Sequence, residues 1–269
     1  MTSLALVVSD VDGTLVTPDK AVTPASCAAV RRLADAGIAF TVVSSRPPFG
    51  LKMLVEPLGL KLPMGAFNGG MLVQPGGEVV ESHELSADVI ATSFRVLREF
   101  GTDIWVFTGD RWLIEHADNP YVLREKRTVQ ADPETVVLHA DELGGIGKIV
   151  GVSGDFDRLA ECESRLQAAL GEGAVASRSQ HYYLDVTPPG VSKGTFIQAM
   201  IRQLGITREE VATIGDMDND VAMFRESGLS VAMGNASKAA AAAATISTLA
   251  NTEEGFARAV DILLAQCGG

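Results

Sequence analysis

Two carboxylates, Asp10 and Asp12, close the apolar run of LALVVSDVDGTL, and Gly13 and Thr14 follow at once. Carboxylates are costly to desolvate, so this placement calls for a compensating partner. On an extended strand, residues i and i+2 point to the same face, so both acids can address one site. Gly13 lets the backbone turn and its amide approach a ligand closely. Three further stretches carry comparable groups: Ser44, Ser45 and Arg46 in VVSSR, Lys193 in PPGVSKGT, and Asp216, Asp218, Asn219 and Asp220 in GDMDND. Taken singly, each has a plain alternative. DVDGT also reads as a calcium-binding turn or a simple Asp-Gly turn. GDMDND also reads as a solvated acidic helix start, Lys193 as a surface lysine and Ser44 as a turn cap.

The elements that must position these groups favour a joint reading. LALVVSD is continuously apolar and rich in β-branched residues, as in a strand buried on both faces of a parallel sheet. TPASCAAVRRLADAG predicts a helix, with Thr23 as N-cap, Pro24 at the first position and Gly37 just past the end. IAFTVVSSR predicts a second strand, which completes a right-handed βαβ unit. The far end repeats the alternation: a helix in VSKGTFIQAMIRQLG, a strand in VATIGD, a helix in DVAMFRES and a strand in LSVAMG. A short alanine-rich helix in SKAAAAAAT and an amphipathic one in EEGFARAVDILLAQC complete it. Ligands of an open parallel sheet bind beyond the carboxyl ends of its strands, where the first, second and fourth stretches lie. Asp10, Asp12 and Asp216 brought together there would repel one another without a cation. Oxygen-only ligands, with no His or Cys beside them, favour Mg²⁺. Mg²⁺ with Lys193 and a serine hydroxyl is the equipment expected around a phosphoryl group.

Between these flanks, from about His83 to Val186, the pattern changes. TDIWVFTG, RWLIEHA, GIGKIVGVSG and QHYYLDVTP read as antiparallel strands, with one clear helix in DFDRLAECESRLQAAL. This is an inserted α+β domain. The expected organisation is therefore an α/β, Rossmann-like parallel-sheet core formed by residues 1–83 and 187–269, with an inserted α+β cap domain over 84–186. His83, His116, His139 and His181 fall in or beside the insertion without paired spacing, which argues against a zinc site. Trp105, Trp112 and the His181–Tyr183 run read as packing.

Composition bounds the function class. A net charge of −12 argues against a general nucleic-acid binder. The apolar stretches are too short for a membrane span, and the start lacks a basic leader. The three cysteines, Cys27, Cys162 and Cys267, are scattered and odd in number, as expected of reduced thiols in a cytoplasmic protein.

With these residues in place, the sequence resembles the haloacid dehalogenase-like phosphohydrolase superfamily, specifically its Cof-type subfamily IIB. DVDGT is similar to the family's DxDGT, SSR stands where Thr-Gly-Arg is usual, Lys193 matches the third motif, and GDMDND matches GDxxND. AFNGGML around Asn68 and VAMGNA around Asn235 are similar to two lesser marks. The resemblance implies a C2-type cap, with Asp10 as nucleophile, Asp12 as general acid/base and Lys193 as a catalytic cation. It implies that Gly13, Ser44, Ser45, Arg46, Asn68 and Asn219 bind the phosphate or substrate. It also implies a Mg²⁺ site of Asp10, the backbone carbonyl of Asp12, Asp216 and a supporting Asp220. The implied activity is hydrolysis of small phosphomonoesters, sugar phosphates first, through an aspartyl-phosphate. A phosphoryl-transferring mutase and a non-catalytic phosphate sensor remain the alternatives.

Overall fold

In the computed structural model, which describes residues 4–267, the apolar run after Leu4 forms β1 (Leu6–Ser9), every residue of it buried. In chain order there follow α1 (Pro24–Asp35), β2 (Ala39–Val42), α2 (Lys52–Leu58), β3 (Met64–Ala66), β4 (Met71–Val73) and β5 (Val79–Ser82). The middle of the chain carries α3 (Ala87–Glu99), β6 (Asp103–Thr108), β7 (Trp112–Ile114), α4 (Val122–Val129), β8 (Glu134–Thr135), β9 (Ile146–Val152), α5 (Phe156–Leu170), β10 (Val175–Gln180) and β11 (Tyr183–Thr187). The last segment holds α6 (Lys193–Leu204), β12 (Val211–Gly215), α7 (Val221–Arg225), β13 (Leu229–Ala232), α8 (Lys238–Ala243), β14 (Ile246–Ser247) and α9 (Gly255–Cys267).

The chain divides into two compact units. The first comprises the chain up to Ser45, Leu51–Val80, and the chain from Ser192 onward; the second comprises Arg46–Gly50 and Glu81–Val191. The first unit is an α/β layer structure around a parallel sheet of order β14-β13-β12-β1-β2. β1 pairs with β12 on one side and β2 on the other, Val8 facing Thr213 and Thr41. Leu6 and Val8 pack with Phe196, Ile197 and Met200 of α6. α1 and α9 pack together, and Phe40 of β2 meets Phe256 of α9 edge-on at 5.8 Å. α1 begins where the sequence signals say: the Thr23 side chain accepts from the Ser26 amide, and Pro24 occupies the first turn.

The second unit is a six-stranded sheet of order β10-β11-β9-β6-β7-β8. Its pairs are antiparallel except β7 with β8, which run parallel. One face is covered by α3 and α5, with Leu97, Val106, Ile149, Leu166 and Leu184 in the core between them. The pleat sends alternate residues to the other face. There Trp105 and Trp112 are buried with ring centroids 5.1 Å apart, and Tyr183 lies 5.4 Å from Trp105. This segment holds two helices besides the one the pattern announces. α3 is rich in β-branched residues (Val89, Ile90, Thr92, Val96), which suit a strand by local preference. Its Ser86 cap and the stripe Val89, Ile90, Phe94 and Leu97 override that preference. α4 buries only Val122, Glu125 and Val129, too short a stripe to stand out.

Cys27 and Cys162 are free thiols, and the Cys267 side chain lies outside the described residues. No helix among the described residues is long and apolar enough to cross a membrane.

Candidate active site

The register of the parallel sheet decides which groups meet. The Asp10 amide donates to the Ile214 carbonyl at 2.8 Å, so Asp10 leaves β1 beside the point where Asp216 leaves β12. Val43 donates to Ser9 at 3.0 Å, which places Ser44 at the same carboxyl edge. Asp10, Asp216 and Asp220 are all buried and offer carboxylate oxygens within 4.8 Å of one another. Into this group comes Lys193, itself 2 % exposed, with Nζ donating to Asp10 Oδ1 at 2.5 Å and to Asp220 Oδ1 at 2.6 Å.

Lys193 is the first residue of α6, where the helix dipole disfavours a cation. Its two carboxylate partners reverse that balance. Ser192 caps the helix and exchanges hydrogen bonds with Thr195, which fixes the start of α6 and hence the lysine. A side chain on Gly194 would press on the Ala222 carbonyl, so a glycine there lets α6 lie close to α7 and the Asp220 loop. Asp220 itself is fully engaged: Oδ2 accepts from the amides of Asp216 and Met217 at 2.7 and 2.8 Å, while Oδ1 faces Lys193. It holds the loop and the lysine together.

Asp216 is oriented by neighbours. Thr14 donates its hydroxyl to Asp216 Oδ1 at 2.8 Å. Asn235 donates to the Gly13 carbonyl at 2.9 Å and reaches Asp216 Oδ2 at 3.4 Å. Gly13 has φ +85°, and a Cβ there would collide with Asp216 Oδ2, so the position requires glycine on both counts. Thr14 and Asn235 lay within stretches the sequence singles out, but nothing in their types announced that they would grip Asp216.

Burial raises the Asp10 pKa well above its ordinary value; Lys193 opposes this, and Asp220 and Asp216 add to it. Burial likewise pushes Asp216 up to about 6, against the Thr14 hydrogen bond. Burial alone would lower Lys193, but Asp10 and then Asp220 outweigh it and the net shift is upward. Lys193 is the one ammonium that pairs with this group of three buried carboxylates among the described ion pairs, which leaves the group with surplus negative charge. An all-oxygen donor set with surplus negative charge fits a hard divalent cation such as Mg²⁺. Asp220 is the most committed of the three, with both oxygens accepting at 2.8 Å or less, whereas Asp216 Oδ2 is approached by Asn235 at 3.4 Å.

Asp12 is not one of the three clustered carboxylates; it is partly exposed, and its Oδ1 accepts from Lys20 at 2.6 Å. Asn219 donates to Asn68 Oδ1 at 3.1 Å, which joins two of the predicted substrate contacts. The Asn68 amide donates to the Ser44 carbonyl at 2.8 Å, so Ser44, Asn68 and Asn219 form one connected edge. Ser45 ends its segment of the first unit, half-buried. Arg46 belongs to the second unit; it is buried and donates to the Gly50 carbonyl at 3.1 Å.

The haloacid dehalogenase-like hydrolase pattern matches residues 7–260 of the chain. A curated relative, the HMP-PP phosphatase of Cronobacter sakazakii, is 29% identical over 227 residues, covering 84% of this chain and 83% of the relative. The crystal structure of a haloacid dehalogenase-like hydrolase from Bacteroides thetaiotaomicron superposes with a TM-score of 0.89 at 28% identity, covering 97% of this chain and 100% of that one. A subclass IIB sugar phosphatase of the same superfamily shares the fold at TM-score 0.83 and 20% identity, over 96% of this chain and 98% of its own. The chain belongs to the haloacid dehalogenase-like hydrolases, and its fold is that of their subclass IIB.

Proposed function

We propose that the protein is a Mg²⁺-dependent phosphomonoester hydrolase that acts on small phosphorylated metabolites, sugar phosphates among them, through a phosphorylated Asp10. The observation that carries this is the buried cluster in which Lys193 bridges Asp10 and Asp220 beside Asp216. The phosphatase activity named for the Cronobacter relative supports the reaction class.

Asp10 attacks phosphorus in line and forms an aspartyl-phosphate, which divides one difficult displacement into two easier ones. Asp12 protonates the leaving oxygen and then takes a proton from the water that attacks the intermediate. Lys193, the Ser44 hydroxyl and the amide near Gly13 stabilise charge on the equatorial oxygens. Ser45, Arg46, Asn68 and Asn219 contact the substrate. Asp10, Asp216 and the Asp12 backbone carbonyl would hold Mg²⁺, with Asp220 in support. The bound ion would shield the anionic phosphate from the anionic nucleophile. We retain residues 84–186 as the inserted cap domain, and the cytoplasm as the compartment in which scattered free thiols persist.

The deciding assay incubates the protein with a panel of sugar phosphates and other small phosphate esters, with and without Mg²⁺, and measures inorganic phosphate. Release that depends on Mg²⁺ is expected. Transfer of the phosphoryl group to a second sugar hydroxyl would make it a mutase, and phosphate binding without turnover would make it a sensor.

The cluster also sets an acid-base signature. Asp216 titrates near 6 in the metal-free fold, against 3.8 ordinarily, and Asp10 is raised in the same sense. The folded state therefore holds protons that the unfolded chain has released, and the contribution of Asp216 to stability falls as pH rises from about 4 to about 6. Millimolar Mg²⁺ is expected to raise the thermal midpoint little at pH 5 and substantially at pH 8. A Mg²⁺-induced rise that does not grow with pH would remove the metal from this cluster.

A further inference from the structure

The segment that leaves the first motif folds straight back on itself. Val16 bridges Asp12 in parallel and Val22 in antiparallel fashion. The loop between is closed by Thr17 N donating to the Ala21 carbonyl at 3.0 Å and Lys20 N donating to the Thr17 carbonyl at 2.8 Å. Pro18 suits the first corner of such a turn, and the residue before the return strand takes the left-handed conformation that glycine or asparagine normally supplies. Here that residue is Lys20, at φ +64°. A non-glycine residue at such a position is strained, and persists where the surroundings use it.

The turn delivers the ammonium to within 2.6 Å of Asp12 Oδ1, both side chains being just over one-quarter exposed. This resolves a difficulty set by the strand. Asp10 and Asp12 emerge two residues apart beside a single buried lysine, and both would be drawn to it. Lys193 holds Asp10 and Asp220, while Asp12 has a lysine of its own.

We propose that Lys20 is a positioning residue: its ammonium orients the Asp12 carboxylate apart from the Asp10–Lys193–Asp220 cluster, for proton exchange with the leaving oxygen. The proposal rests on the reading of Asp12 as the general acid/base. The proton itself passes only between Asp12 and the substrate oxygen; Lys20 neither gives nor takes one.

The test uses the Mg²⁺-loaded full chain and follows phenol release in the first turnover from two esters. The 2,4-dinitrophenolate of the first leaves unprotonated, whereas the leaving oxygen of phenyl phosphate needs a proton. Three variants are compared with the parent: Lys20→Gly, Lys20→Arg and Asp12→Asn. Lys20→Gly removes the ammonium and the strain together, so its thermal midpoint is expected to equal or exceed the parent's. Its rate on phenyl phosphate is expected to fall relative to the dinitrophenyl ester by roughly tenfold or more, a part of the range for general acid catalysis. Lys20→Arg should recover most of that ratio, and Asp12→Asn should show a larger loss in the same direction. A merely structural role for Lys20 would slow both esters alike, which would overturn the proposal, as would an unchanged ratio in Lys20→Gly. If Asp12→Asn discriminates and Lys20→Gly does not, the positioning role fails alone. If Asp12→Asn does not discriminate either, the acid/base reading falls with it.

Discussion

Asp10→Asn is expected to reduce turnover by roughly 10⁴-fold or more while the fold persists, since the amide cannot form the covalent intermediate. The cluster predicts a second consequence. Asp10 is buried among like charges, and its ionisation is disfavoured chiefly by that burial. Its neutral replacement relieves Asp216 and Asp220 and still leaves Lys193 paired to Asp220 at 2.6 Å. In metal-free buffer at pH 8 the variant should therefore melt no lower than the parent. Near-normal Mg²⁺-dependent phosphate release by this variant would refute the nucleophile assignment.

Lys193→Met should fail in the opposite way. Removing the ammonium leaves Asp10, Asp216 and Asp220 in one buried group without the cation that Asp10 and Asp220 pair with. Breaking a buried pair costs about 3–5 kcal/mol, because the stranded charges remain. That loss is expected at pH 8 by chemical denaturation, and it should shrink at pH 5, below the value of about 6 to which burial pushes Asp216. Added Mg²⁺ should recover part of the stability and none of the turnover. Equal stability of parent and variant at pH 8 would mean that the three acids do not share one field.

Much of this cluster was legible in the sequence because its parts sit where secondary structure changes. Asp10, Asp216 and Lys193 each mark a strand end or a helix start, and the βα alternation dictates that such points meet at one edge. The contacts that tune the cluster were less legible. Thr14 and Asn235 reach Asp216 from loops whose course depends on backbone turns at Gly13 and beyond. Lys20 reaches Asp12 only because a lysine adopts a glycine-like conformation, against its local preference. Arg46, adjacent to Ser45 in sequence, belongs to the other unit, a division no local pattern announces. α3 was obscured by its β-branched residues, whose place in a helix is decided by the sheet they cover.

The pairing of β1 with β12 also sets a timetable. Leu6 aligns with Val211, so one neighbour of this fully buried strand is missing until some two hundred residues have followed it. At about 5–20 residues per second, a ribosome needs roughly 10–40 s to supply that neighbour. The second unit, nearly contiguous at Glu81–Val191, has all but five of its residues together well before then. During synthesis β1 and β2 wait as a short, unfinished sheet with an open edge, and that edge is where nascent chains of this protein are most exposed to mispairing.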